Sequence, residues 1–142
     1  MTVDTVITGG TLVTATDMFE GSLAFDDGKI VAVGSETSMP DAHETVDASG
    51  LLVMPGMIDP HVHSEDHFWI DTYETGTAAA ALGGITTYID FAWQHWVGEL
   101  SNYDEEGTLM DGLEEKQRKG EQALIDYSVH AAITREDPAV LD

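Results

Sequence analysis

The chain has 142 residues, 42% of them hydrophobic, with 27 acidic against 5 basic side chains and a formal net charge of -22. That length and apolar fraction allow a buried core and set a single domain as the first expectation. The charge repels nucleic acid and anionic membranes and argues against both as partners, and the absence of cysteine excludes disulfides and thiolate chemistry.

The acidic residues are scattered between apolar runs, which points to a coated folded surface rather than to disorder. Lysine occurs only at Lys29, Lys116 and Lys119. An acidic, lysine-poor surface of this kind suits high salt, where self-repulsion is screened, so a halophilic protein is expected. The opening MTVDTVITGG has no basic segment followed by an apolar one, and no apolar run approaches the length of a membrane span. A cytoplasmic protein is the corresponding expectation.

Residues 3–54 read as short strands separated by turns. Residues 3–8 and 11–14 flank Gly9-Gly10. Residues 22–25 and 30–33 flank Asp26-Asp27-Gly28-Lys29, which is strong hairpin punctuation. Residues 37–44 are polar and contain Pro40, so they read as loop. Residues 45–47 and 51–54 surround the turn Ala48-Ser49-Gly50. Residues 1–54 are expected to form one small antiparallel β unit and residues 55–142 a second region with a different pattern.

That second region opens on VMPGMIDPHVH, residues 53–63, an apolar stretch read as a buried strand ending in His61 and His63. Residues two apart on a strand share a face, so the two imidazoles can meet one divalent ion. The same spacing also occurs in ordinary surface histidines. Residues 73–82 are helical in composition and Gly83-Gly84 ends them. Residues 85–91 are β-branched and aromatic and read as a strand. Residues 109–124 read as an amphipathic helix, weakly interrupted by Gly112 and Gly120. Residues 127–133 form a third strand, and residues 134–142, with Pro138, look like the start of another helix. Strand, helix, strand, helix, strand is the parallel α/β pattern.

PGMIDPHVH resembles the first-strand signature of the amidohydrolase superfamily. GGTLVTATDMFEGSLAFDDGKIVAVG is similar to the start of its hydantoinase and dihydropyrimidinase branch. GTAAAALGGITTYIDF and IDYSVHAAIT resemble the next two barrel units. The resemblance implies an α/β fold: a sandwich-like N-terminal β unit followed by the first β/α units of a (β/α)8 barrel. A complete barrel takes about 250 residues, so an amino-terminal portion is expected.

The resemblance also implies metal-dependent hydrolysis of a cyclic amide, with His61 and His63 as metal ligands and Asp59 as a carboxylate that supports them. The expected cofactor is a divalent metal, zinc foremost, with manganese or another ion as the alternative, in a two-metal centre. The family completes that centre with a carboxylated lysine, two further histidines and an aspartate that moves a proton, and no position here matches them. No catalytic residue is therefore expected within this chain, and residues 1–142 alone are expected to be inactive. The expected partners are a small cyclic amide and further copies of the full-length protein.

Glu65 stands where dihydroorotases carry an arginine, which favours the hydantoinase branch. Allantoinase, another amidohydrolase or a non-catalytic assembly protein are the alternatives. Asp90 lies near the end of the second barrel strand. His43, His67 and His95 read as solvated loop histidines, and His130 as a core histidine rather than a ligand. Trp69, Trp93 and Trp96 could line a substrate pocket or pack in the core.

If the acidic surface is a salt adaptation, the melting temperature should rise as potassium chloride approaches molar concentration. Thermal unfolding at low and high salt measures it, and a flat or falling value would contradict the adaptation.

Overall fold

The computed structural model describes residues 2–65, 69–93 and 108–133. The chain divides after Pro55 into two compact units.

In the first unit, β1 (Val3–Val13), β2 (Met18–Asp26) and β3 (Lys29–Gly34) form an antiparallel meander. Asp27 and Gly28 both take positive φ, 50° and 68°, the backbone a two-residue hairpin turn requires. The glycine pair at 9–10 does not break the first strand. β1 runs through it with a register shift between Ile7 and Gly10.

β4 (Ala42–Asp47) and β5 (Leu52–Val53) both lie parallel to β1. The expected antiparallel unit is thus a mixed sheet, in the order β3-β2-β1-β4 with β5 also on β1. The polar stretch after β3, with a 3-10 turn at Glu36–Ser38, carries the chain back across the sheet, which parallel neighbours require. His43, expected in a loop, is exposed on β4. Val3, Val6 and Ala24 form the buried core, with Ala32, Met39 and Ala42 packed on it.

The second unit alternates β6 (Met57–Asp59), α1 (Tyr73–Leu82), β7 (Ile85–Trp93), α2 (Leu109–Gly120) and β8 (Asp126–Ala132). Its sheet, β6-β7-β8, is parallel throughout. The β/α alternation expected after the first unit is therefore present.

The strand expected over residues 53–63 is shorter and less buried than its composition suggested. β6 covers three residues, and Met57 and Ile58 are 54% and 64% exposed. β6 has one neighbour among the described strands, and Pro60, just beyond it, has no N–H to donate to a ladder. The helix start expected in residues 134–142 lies outside the described residues.

Both helices begin at a threonine cap. Thr72 Oγ1 accepts from Thr75 N, and Thr108 Oγ1 from Asp111 N, each in a reciprocal capping box. α1 buries Tyr73 and Thr77, one turn apart on one face. α2 buries Gly112, Lys116 and Gly120, spaced four apart, and ends four residues before the expected Leu124. The two glycines are thus close-approach points rather than weak interruptions. A Cβ on Gly112 would stand 2.4 Å from the Trp93 carbonyl oxygen, and one on Gly120 2.1 Å from the Tyr127 ring.

Gly112→Ala should therefore lower the unfolding free energy by about 1–3 kcal/mol, because the strand backbone cannot yield. Alanine is about 1 kcal/mol the better helix former, so a gain in urea-unfolding stability would contradict this packing. Gly120→Ala should cost less, since the Tyr127 ring can swing aside.

Candidate functional site

The side chains of β7 alternate between two environments. Tyr88, Asp90 and Ala92 are buried on the face that α1 and α2 cover. Phe91 and Trp93 point to the opposite face, where His61, His63 and His130 also stand.

On that opposite face the rings of His61 and His63 meet edge to face with centroids 5.1 Å apart. Phe91 lies 4.5 Å from His61 and 5.3 Å from His63. Trp69 is 5.0 Å and Trp93 6.2 Å from His63. The two histidines lie beyond the end of β6, in irregular backbone, yet their rings still converge. Asp59 Oδ1 accepts from the His61 N–H at 3.1 Å, and Val62 N donates to the Ile89 carbonyl at 3.0 Å. A cavity of about 400 Å³ adjoins them and extends to the α1 side, with His61, His63 and Trp69 in its wall together with Gly76 and Ala80 of α1 and Tyr88 of β7.

His130 sits in register with Phe91, 5.1 Å from its ring. It is exposed rather than a core residue, because no described element covers that face of β8. His67, His95 and Trp96 lie outside the described residues.

The helix-covered face holds a compact polar network. Lys116 Nζ is 3.0 Å from Asp90 Oδ2, and the two side chains are 5% and 0% exposed. Asp90 Oδ2 also accepts from the Tyr73 hydroxyl at 2.8 Å and from Ser64 N at 3.2 Å. Lys116 Nζ donates to the Ser64 carbonyl at 2.6 Å, and Ser64 Oγ is 3.1 Å from the Tyr88 hydroxyl. Burial, reinforced by the Asp90 carboxylate, pushes the Tyr73 phenol far up. Burial pushes Tyr88 up to about 12, with the Ser64 hydrogen bond opposing it and Asp90 adding to it. Both phenols are therefore protonated near neutral pH, and Tyr73 serves as a donor.

One turn further along α2, Lys119 Nζ donates to the Glu65 carbonyl at 3.2 Å and pairs with Glu115 at 2.8 Å. Glu65 N donates to the Asp71 carbonyl, and Glu65 takes a φ of 51°, uncommon for a residue with a side chain.

Sequence reasoning placed Asp90 at a strand end but missed its partner, Lys116. The available signal was Gly112-x3-Lys116-x3-Gly120, a lysine flanked by glycines on one helical face.

Two imidazoles are suitable donors for a divalent transition metal, and these two rings stand side by side with centroids 5.1 Å apart. Among the described residues no group of three or more His, Cys, Asp or Glu side chains is placed to hold a metal ion. The pair thus fits as part of a metal site and falls short of the three protein ligands usual at catalytic zinc.

No protein-family model matches the chain. It is 40% identical over 142 residues to a D-hydantoinase of Geobacillus stearothermophilus, a match that covers 96% of this chain and 28% of that protein. It is 36% identical over 139 residues to a dihydropyrimidinase of Arabidopsis thaliana, covering 95% of this chain and 24% of that one. A crystal structure of D-hydantoinase superposes with a TM-score of 0.81 at 38% identity, over 96% of this chain and 29% of the other. The chain thus spans less than a third of the length of these relatives.

Lys116→Met should strand the Asp90 carboxylate in a buried site and cost about 3–5 kcal/mol in chemical denaturation. Tyr73→Phe removes one hydrogen bond to that carboxylate and should cost about 1.5–3 kcal/mol. Equal losses in the two variants would contradict a charge-centred network.

Proposed function

Because the chain belongs to the hydantoinase and dihydropyrimidinase branch of the amidohydrolase superfamily, we propose that the protein hydrolyses a C–N bond of a cyclic amide, with His61 and His63 as ligands of a divalent metal. The observation that carries the metal assignment is the convergence of the two imidazoles on the face of the sheet away from the helices.

His61 and His63 would hold the ion through ring nitrogens. Asp59, bonded to the His61 N–H, fixes the backbone from which the first ring projects. Phe91, Trp69 and Trp93 make one flank of the site aromatic, which favours a flat, largely apolar ring and displaces water from it. A divalent ion, zinc foremost or manganese, supplies Lewis-acid polarisation of the amide carbonyl and lowers the pKa of water. The residue that hands a proton to the leaving nitrogen, and the remaining ligands, are not assigned to this chain.

The test uses the protein as its gene encodes it, stripped with a chelator, reloaded with zinc or manganese, and assayed on hydantoin and dihydrouracil. Turnover should return with metal. His61→Ala and His63→Ala should each lose at least ~100-fold in turnover and bind less metal per protomer. Unchanged turnover and metal content in both variants would refute the ligand assignment.

A further inference from the structure

We propose that the buried Asp90–Lys116 pair is a positioning device: by gripping the Ser64 peptide groups on both sides, it fixes where His61 and His63 stand. The proposal rests on the reading of those histidines as metal ligands and adds the residues that aim them.

The segment after β6 has irregular backbone, so it lacks a continuous ladder of strand hydrogen bonds. Its polar groups need other partners. Val62 N has one on β7. Ser64 is 4% exposed, so water cannot serve it, and the ion pair does so instead. Asp90 accepts from its N–H and Lys116 donates to its carbonyl. Only a planar peptide unit separates His63 from the Ser64 nitrogen, so fixing that nitrogen orients the plane from which His63 departs. The next residue, Glu65, is held from the same helix by Lys119 and from residue 71 by its carbonyl. Both lysines lie on one face of α2, three residues apart.

A charge pair is a poor choice for stability alone, because apolar side chains of similar volume commonly do as well. Apolar side chains could not bond to the N–H and to the carbonyl of one residue. The directional bonds to Ser64 are what the charges add.

The experiment compares Asp90→Asn, Lys116→Gln and the double substitution in the protein as its gene encodes it. Thr77→Ala is the control. Thr77 is buried and bonds to the Tyr73 carbonyl and to Leu124 N, away from the Ser64 peptide. One readout is hydrogen exchange of residues 61–65 by mass spectrometry at matched global stability; the other is zinc affinity by competition with a chromophoric chelator.

Each single variant should exchange this segment ~10-fold faster than the control and bind zinc ~10-fold more weakly. The double variant, whose two amides can restore the bonds without charge, should recover both to within about 3-fold of the parent protein. The proposal is overturned if the single variants exchange residues 61–65 no faster than Thr77→Ala, or if the double variant recovers neither readout. Faster exchange with unaltered zinc affinity also overturns it, provided His61→Ala and His63→Ala abolish zinc binding. If those histidine variants still bind zinc, the ligand reading has failed, and the exchange comparison alone decides the anchor.

Discussion

A carboxylate and an ammonium 3.0 Å apart, both withdrawn from water, set the terms for the second unit of this protein. Removing either charge from solvent is expensive, and mutual attraction offsets the cost only when the remaining bonds are also satisfied. Asp90, on β7, and Lys116, on α2, meet that condition by drawing in two other elements. α1 brings Tyr73, and the segment after β6 brings both the N–H and the carbonyl of Ser64. The approach of α2 follows from the same need. Gly112 and Gly120 flank Lys116 by one turn each and let the helix lie close to β7 and β8.

The alternation of β7 separates support from chemistry. Even-numbered residues from Tyr88 to Ala92 are buried toward the helices, and Tyr88 and Asp90 among them belong to the polar network. Odd-numbered Phe91 and Trp93 face the histidines. Trp93 serves both sides, since its carbonyl meets Gly112 while its ring lies beside His63. A shift of α2 against the sheet would therefore reach the histidines by two routes, through the Trp93 backbone and through Ser64.

The scarcity of cations sharpens this picture. Of the three lysines, Lys116 is buried and Lys119 is bound to the Glu65 carbonyl and to Glu115. Two lysines of an acidic chain are thus committed to holding the segment that carries the histidines. Because Lys116 is buried with Asp90, the buried pair is neutral and the other side chains still carry the formal net charge of -22, a self-repulsion of the kind that added salt screens.

Local signals determined a good deal. Asp27-Gly28 marked a hairpin turn, Gly83-Gly84 ended α1, and the change from turn-rich strands to strand–helix alternation marked the second unit. Period-two spacing placed His61 and His63 on one side, and they stay there past the strand end because Asp59 accepts from the His61 N–H and Val62, between them, bonds to the Ile89 carbonyl. Matters that depend on distant partners were not legible. The direction of β4 and β5 depends on a crossover whose residues read only as polar loop. The exposure of Met57, Ile58 and His130 depends on which strands have neighbours, a property of the assembled sheet. Lys116 read as one more charge on an amphipathic helix. Only tertiary structure decided that it is buried, because its partner lies 26 residues away on a strand and its second acceptor, Ser64, is 52 residues away.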